Sequence, residues 1–186
     1  MRNILLACLI LNCPFVSAVS YVTVNFRATL QTTTCNISIA VGSNTTVNQT
    51  LDFGALTMSQ IEAQGSNTRK DFSLQYNDCY ITSSGSTVKQ TLNWIQTLPK
   101  ASASWSGYST ELKGGEVGVA AVLYRTSDLN TAIPLDPNNN EKITWSSTER
   151  TNAKLPLTLV LRPASSSTTV KTGIFNGTLT FTTTYQ

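Results

Sequence analysis

The chain has 186 residues, a formal net charge of +3 and no histidine. Charged residues make up 12% of it, about half the share of roughly 25% that is usual for soluble domains. The lysines and arginines are scattered, which argues against a nucleic-acid partner. The absence of histidine excludes Ser-His-Asp and Cys-His catalysis. A glycosidase-like carboxylate pair stays open among the 10 acidic residues, but no pairing stands out, and we predict no enzyme activity and no cofactor.

Residues 1–20 have the composition of a secretory signal peptide. Arg2 supplies the positive start, residues 4–11 form a short apolar run, and a small-x-small cleavage site ends at Ser20. The apolar run is too short to span a bilayer. We predict cleavage after Ser20, with cleavage after Ala18 as the alternative.

Two cysteines, Cys35 and Cys79, remain in residues 21–186, a length that suits one domain. In an exported chain, two cysteines predict a disulfide. Closing the loop between them would stabilise the fold by about 4 kcal/mol on the chain-entropy model. We predict no metal site, because two cysteines without histidine do not complete a zinc ligand set.

The mature chain opens with an alternating strand at residues 22–30. One face of this strand carries its apolar residues, which are Val22, Val24, Phe26, Ala28 and Leu30. The strand has no obvious partner next to it in the sequence. Either it pairs within its own sandwich, or it is an extension meant for another chain.

Alternating apolar patterns continue through the middle of the chain, separated by turn-rich segments. They lie at residues 37–41, 51–53, 72–76, 88–94, 117–123 and 155–161. Residues 58–64 have the character of one short helical turn. Strands at this spacing predict an all-β sandwich.

The last residues, 173–186, form the clearest strand pattern of the chain. Phe175, Leu179, Phe181 and Tyr185 share one face, and threonines occupy the other. A final strand this apolar must be buried, because a bare edge would aggregate.

These residues together resemble the pilin subunits of bacterial chaperone–usher pili, over nearly the whole mature chain. The C-terminus has the family's penultimate tyrosine, Tyr185, and its glycine fourteenth from the end, Gly173. Cys35 follows the N-terminal strand and Cys79 closes an apolar strand, as in that family. The order and spacing of these features carry the resemblance, since no single motif decides it.

The resemblance implies an all-β, incomplete immunoglobulin-like sandwich that lacks its seventh strand. An open groove would lie beside the C-terminal strand, whose edge residues would be Gly173, Phe175, Leu179, Phe181 and Tyr185. A donor strand from a chaperone, and later from a neighbouring subunit, would complete the sandwich. Residues 21–33 would be the donor extension and residues 34–186 the pilin domain.

The donor face implied by the resemblance consists of Val22, Val24, Phe26, Ala28 and Leu30. Family donors usually carry glycine where this chain has Ala28. The additional methyl group puts the identity of the partner in question more than the mechanism.

The resemblance also implies a structural subunit of a fimbria that contributes to bacterial cell adhesion. Its partners would be a periplasmic chaperone, an outer-membrane usher and other pilin subunits, and it would reach the cell surface through the periplasm. One alternative is a single-domain adhesin that binds a host receptor, a glycan or protein, through loops such as that of Trp105 and Tyr108. Another is a self-complete immunoglobulin-like domain that does not polymerise.

Overall fold

The computed structural model describes residues 20–30, 35–77, 79–83, 86–89, 94–101, 118–135, 141–164 and 169–185. These residues are mostly β-strands with two short helices, which confirms the predicted all-β class. Neither of the helices found in these ranges has the length and hydrophobicity that crossing a membrane requires.

The described strands follow one another closely along the chain. They are β1 Ser20–Leu30, β2 Asn36–Val41, β3 Asn44–Thr46, β4 Asn48–Leu56, β5 Arg69–Asn77, β6 Tyr80–Ser83, β7 Ser86–Lys89, β8 Ile95–Ala101, β9 Val119–Arg125, β10 Asp128–Ile133, β11 Ile143–Thr144, β12 Lys154–Pro163 and β13 Phe175–Tyr185.

Two sheets form a sandwich. One has five strands in the order β11-β8-β13-β1-β4, and the other has six in the order β10-β9-β12-β5-β2-β3. Strands β6 and β7 form a separate hairpin. The first and last described strands are therefore neighbours in the middle of the five-stranded sheet.

The core lies between the two sheets and is built by the alternation seen in the sequence. Strand β12 sends alternate leucines inward, and the next two strands of the sheet, β5 and β2, also bury alternate apolar residues. The largest fully buried side chains include Trp145, Phe175 and Phe181. Each buried side chain of this kind contributes roughly 1.5–3 kcal/mol, so the apolar faces hold the sheets together.

Strand β4 bends where it passes β1. Their register shifts between Val22 and Thr23, because Val22 pairs with Gly54 and Thr23 pairs with Asp52. Gly54 has a φ of 65°, and its N–H donates to the Asp52 Oδ1 at 2.7 Å. Glycine suits this β-bulge because a side chain would be strained at positive φ.

The helices are short and capped. Helix α1, Met58–Ala63, begins after Thr57, whose hydroxyl accepts from the Gln60 N–H while the Gln60 side chain accepts from the Thr57 N–H. This capping box explains how a single turn is stable and confirms the helical turn predicted at residues 58–64. A 3-10 turn follows at Ser66–Thr68, and helix α2, Ser147–Thr151, has its own capping box from Ser146.

Strand β13 begins later than the sequence pattern suggested. We expected one uninterrupted strand from Gly173, but the ladder with β1 starts at Phe175. Gly173 lies in a bend, and Ile174 is 63% exposed. Glycine has no side chain to pack on a sheet and weakens a strand, so pairing starts at the first buried aromatic residue.

The predicted disulfide between Cys35 and Cys79 is confirmed. Both cysteines are buried. The bond joins the start of β2 to the chain just beyond β5, at the end of the sandwich where Asn36 pairs with Asn77. It therefore fixes the start of β2 beside the end of β5.

Reduction of this disulfide should destabilise the fold by about 4 kcal/mol, because the unfolded chain regains the entropy of an open loop of 44 residues. Urea unfolding of the oxidised and reduced protein measures the difference, and a Cys35→Ala/Cys79→Ala double variant separates it from effects of the reductant. Equal unfolding midpoints in all three samples would contradict this expectation.

Candidate functional site: the groove around the N-terminal strand

Strand β1 fills a gap between two strands that do not pair with each other. It runs parallel to β13, with Val22 opposite Phe175 and Leu30 opposite Thr183. On its other side it runs antiparallel to β4. Strands of immunoglobulin-like sandwiches are antiparallel, so the parallel pairing sets β1 apart from the rest of the sheet.

Phe26 anchors β1 in the core. Its ring centroid lies 4.9 Å from that of Phe72 in the opposite sheet and 5.9 Å from that of Phe181 on β13. Phe26 is 2% exposed, and Val24 is fully buried. Aromatic contacts of this geometry add about 0.5–1.5 kcal/mol each to the burial of area, so Phe26 connects both sheets through one side chain.

The other residues of the predicted donor face are placed by backbone register. Val22, Ala28 and Leu30 lie opposite Phe175, Phe181 and Thr183 of β13. Their side chains are outside the described part of the chain. The donor role of all five residues stays a prediction, although the structure brings their strand into the groove.

The opposite face of β1 points away from the core. Asn25 is exposed, and its Oδ1 accepts a hydrogen bond of 3.1 Å from the Thr50 hydroxyl on β4. Among the side chains that the structure describes, residues 23–26, the strand thus alternates between the core and its outer face, as the sequence pattern predicted.

Strand β13 forms one wall of the groove. Phe175, Leu179 and Phe181 are buried on its core face, as predicted, while Tyr185 is half-buried at its end and packs against the core. Their role as a groove edge is a prediction that these positions support.

A row of buried, hydrogen-bonded side chains holds the C-terminal end of β13 in place, and the sequence analysis did not predict it. The Thr183 hydroxyl lies 3.0 Å from that of Thr97, which accepts from the Trp145 Nε1–H at 2.9 Å. Residue parity alone places Thr183 on the core face with Tyr185. Each of these three buried polar side chains has a hydrogen-bond partner, which offsets the cost of removing it from water.

Strand β4 forms the other wall, and although its alternation at residues 51–53 was recognised, its pairing with β1 was not predicted. Among the described strands, β4 has its only ladder with β1. Its Leu51 and Phe53 are buried in the core beside Val24. Without β1, both β13 and β4 would present unpaired edges on the two sides of an apolar gap, and such edges invite another strand.

The aromatic residues considered as ligand contacts do not form a described site. Trp105 and Tyr108 lie outside the described residues. Trp145 is fully buried and hydrogen-bonded to Thr97, so it belongs to the core.

Comparisons with known proteins agree with this geometry. The family model described as Fimbrial protein matches residues 23–186. The uncharacterized fimbrial-like protein YadM of Escherichia coli (strain K12) is 31% identical over 170 residues, covering 89% of this chain and 87% of YadM. The chain belongs to the fimbrial protein family, which confirms its resemblance to chaperone–usher pilins.

A solved structure has the same fold. The crystal structure of the P pilus rod subunit PapA matches with a TM-score of 0.53 and 24% identity, covering 82% of this chain and 91% of PapA. The fold is thus the incomplete immunoglobulin-like sandwich of pilins, and in this chain its own β1 occupies the gap.

Replacing Phe26 by alanine should destabilise the protein by about 3–5 kcal/mol, because it removes the ring that contacts both sheets. Asn25→Ala is the matched control on the polar face of the same strand, and its cost should stay below about 1 kcal/mol. Urea unfolding measures both. Equal effects of the two substitutions would mean that β1 is not part of the cooperative core.

Proposed function

We propose that this protein is a structural subunit of a chaperone–usher fimbria that polymerises by donor-strand exchange. One observation carries the proposal. Strand β1 supplies core residues to the sandwich, yet its only covalent connection to the other strands is the short segment that leads to Cys35. A strand held in this way is a separable part, and β-augmentation is a known way of replacing it.

The energetics favour exchange over an open groove. Val24 and Phe26 are both buried in the groove, and each contributes roughly 1.5–3 kcal/mol. An empty groove forfeits this energy together with the main-chain hydrogen bonds to β13 and β4. The groove therefore requires an occupant, which is β1, a chaperone strand or the β1 of another subunit.

The same arrangement explains filament growth. A subunit has a donor strand and an acceptor groove, so the contact between successive copies is head-to-tail. Such a contact does not close on itself and generates an open filament. We propose that a periplasmic chaperone first occupies the groove, that an outer-membrane usher assembles the subunits, and that the filament contributes to cell adhesion.

Residues 1–20 would direct this route as a cleaved signal peptide, and residues 21–33 would be the donor extension. Ser20 is the first residue of β1 and pairs with Leu56. The cleavage site therefore lies at the beginning of the strand, and export would release its N-terminal end for exchange. We propose no catalytic role, since pilin subunits serve as building blocks.

The proposal is tested in the cells that encode the chain, by shearing surface filaments and comparing them with the periplasmic fraction. The wild-type protein should be in the filaments. The Phe26→Ala variant should accumulate in the periplasm, capped by the chaperone, but be depleted from filaments at least about tenfold, since it loses the main anchor of the donor strand.

Asn25→Ala is the control, and this variant should enter filaments as the wild type does. Recovery of the wild-type protein only as a free monomer would refute the proposed function. Equal incorporation of the Phe26→Ala variant would refute β1 as the donor.

A further inference from the structure

We propose that the outer face of the six-stranded sheet carries a binding site for a small neutral saccharide, in an open depression of about 290 Å³. The inference goes beyond the proposed function, because it gives the protein a ligand of its own. It is also independent of donor-strand exchange, since the depression and the groove around β1 belong to different sheets.

The depression lies above three adjacent strands of the sheet, β2, β5 and β12. On β5, Phe72 and Leu74 are buried in the core. The residues that alternate with them therefore face outward, and these are Asp71, Ser73 and Gln75. All three line the depression. Because β5 is paired on both sides, the backbone under the site is rigid, and the lining groups are held in place before a ligand arrives.

Short side chains form the floor of the depression. Ser73 pairs with Ala40 on β2 and with Pro156 on β12, so these three residues form one row across the sheet. Ala40 and Ser73 are both buried. The neighbouring positions on the same face of β5 carry the longer side chains of Asp71 and Gln75. A row of short side chains between two rows of longer ones leaves a hollow on the face of the sheet.

One wall of the depression supplies hydrogen-bond acceptors. Asp71 pairs with Thr158 on β12, whose hydroxyl donates to the Asp71 Oδ1 at 2.7 Å. The Thr126 hydroxyl, in the turn after β9, lies 3.0 Å from that of Thr158. Thr158 is buried and holds the carboxylate in place, while Asp71 itself is exposed. A carboxylate has about four acceptor positions, so Asp71 can accept further hydrogen bonds from a ligand.

The opposite wall supplies hydrogen-bond donors. Lys154 pairs with Gln75, and both residues line the depression. The Gln75 Nε2 donates to the Ser73 hydroxyl at 3.3 Å, which leaves its second N–H and its side-chain carbonyl for a ligand. Lys154 is exposed, and its ammonium group has three donors. This wall lies four residues along β5 from Asp71, a separation of about 13 Å.

This combination of groups suits a neutral molecule rich in hydroxyl groups. A sugar hydroxyl both donates and accepts, and the two walls offer both kinds of partner. One carboxylate and one ammonium group leave the lining without net charge, so it selects neither anions nor cations. Ala40 and Pro156 offer an apolar floor for the C–H face of a sugar ring. The volume is close to the lower limit of ligand pockets, roughly 300 Å³, which suits one or two rings.

Saturation-transfer difference NMR tests the inference with the purified protein and five probes, which are mannose, galactose, N-acetylgalactosamine, lactose and cellobiose. At least one probe should bind with a Kd of about 1 mM, because the site offers a few hydrogen bonds and little apolar area. The Kd should stay the same at low and high salt, since a neutral ligand forms no ion pair. The method observes the sugar, so it serves monomers and filaments alike.

Two variants locate the binding site. Ala40→Leu fills the floor of the depression and should abolish binding. Asp71→Asn keeps the shape of the wall but removes its charge, and it should weaken binding about tenfold, because charge-assisted hydrogen bonds are the stronger ones. Glu62→Gln is the matched control, since it removes the same charge from an exposed position on α1 and should leave the Kd unchanged. Thermal unfolding checks that each variant is folded.

Absence of binding by all five sugars would overturn the inference, as would a Kd that both Ala40→Leu and Asp71→Asn leave unchanged. A short peptide of alternating lysine and aspartate is the competing probe. Salt-sensitive binding of this peptide, with no binding of the sugars, would assign the depression to a protein partner instead. The Ala40→Leu variant should still enter filaments as the wild type does, so failure of the saccharide site and failure of the proposed function are distinguishable.

Discussion

The burial of Phe26 between Phe72 and Phe181 is the interaction on which the rest of the structure depends. It connects the first described strand to the last strand and to the opposite sheet at once. The pairing of β1 with β13 and β4 then joins two walls of the groove that share no ladder of their own among the described strands. The five-stranded sheet is continuous from β13 to β4 only because β1 lies between them.

Under the proposed function, this dependence would let one part of the chain serve both folding and assembly. Most of the core is contributed by strands joined closely along the sequence and secured by the Cys35–Cys79 bond. Strand β1 lies before that bond, so it can leave while the covalent framework stays closed. The proposed exchange of this strand would therefore leave the disulfide intact.

Sequence reasoning reached much of the fold but not the neighbours of its first strand. Alternation identified β13, β12 and β5, because one face of each strand is apolar and period two is a local property. The pairing of β1 with β4 is non-local, and no feature of Leu51 or Phe53 distinguishes one partner strand from another. Parity could have placed Thr183 in the core, whereas its hydrogen bond to Thr97 depends on the register between β13 and β8.

The direction of β1 was equally beyond the sequence pattern. An alternating strand fits a sheet in either direction, and the residues alone left open whether it served its own sandwich or another chain. In the structure it runs parallel to β13. The family resemblance pointed to the groove and to Ala28 as an unusual donor residue, and the register adds that position 28 faces Phe181.

The most direct test of the central claim is the thermal unfolding of residues 34–186, refolded with and without a synthetic peptide of residues 21–33. The account predicts that the truncated chain alone is unstable, that the peptide raises its unfolding midpoint strongly, and that a peptide with Phe26→Ala does so far less. A truncated chain that is already stable and indifferent to the peptide would contradict it, because the sandwich would then be complete without β1.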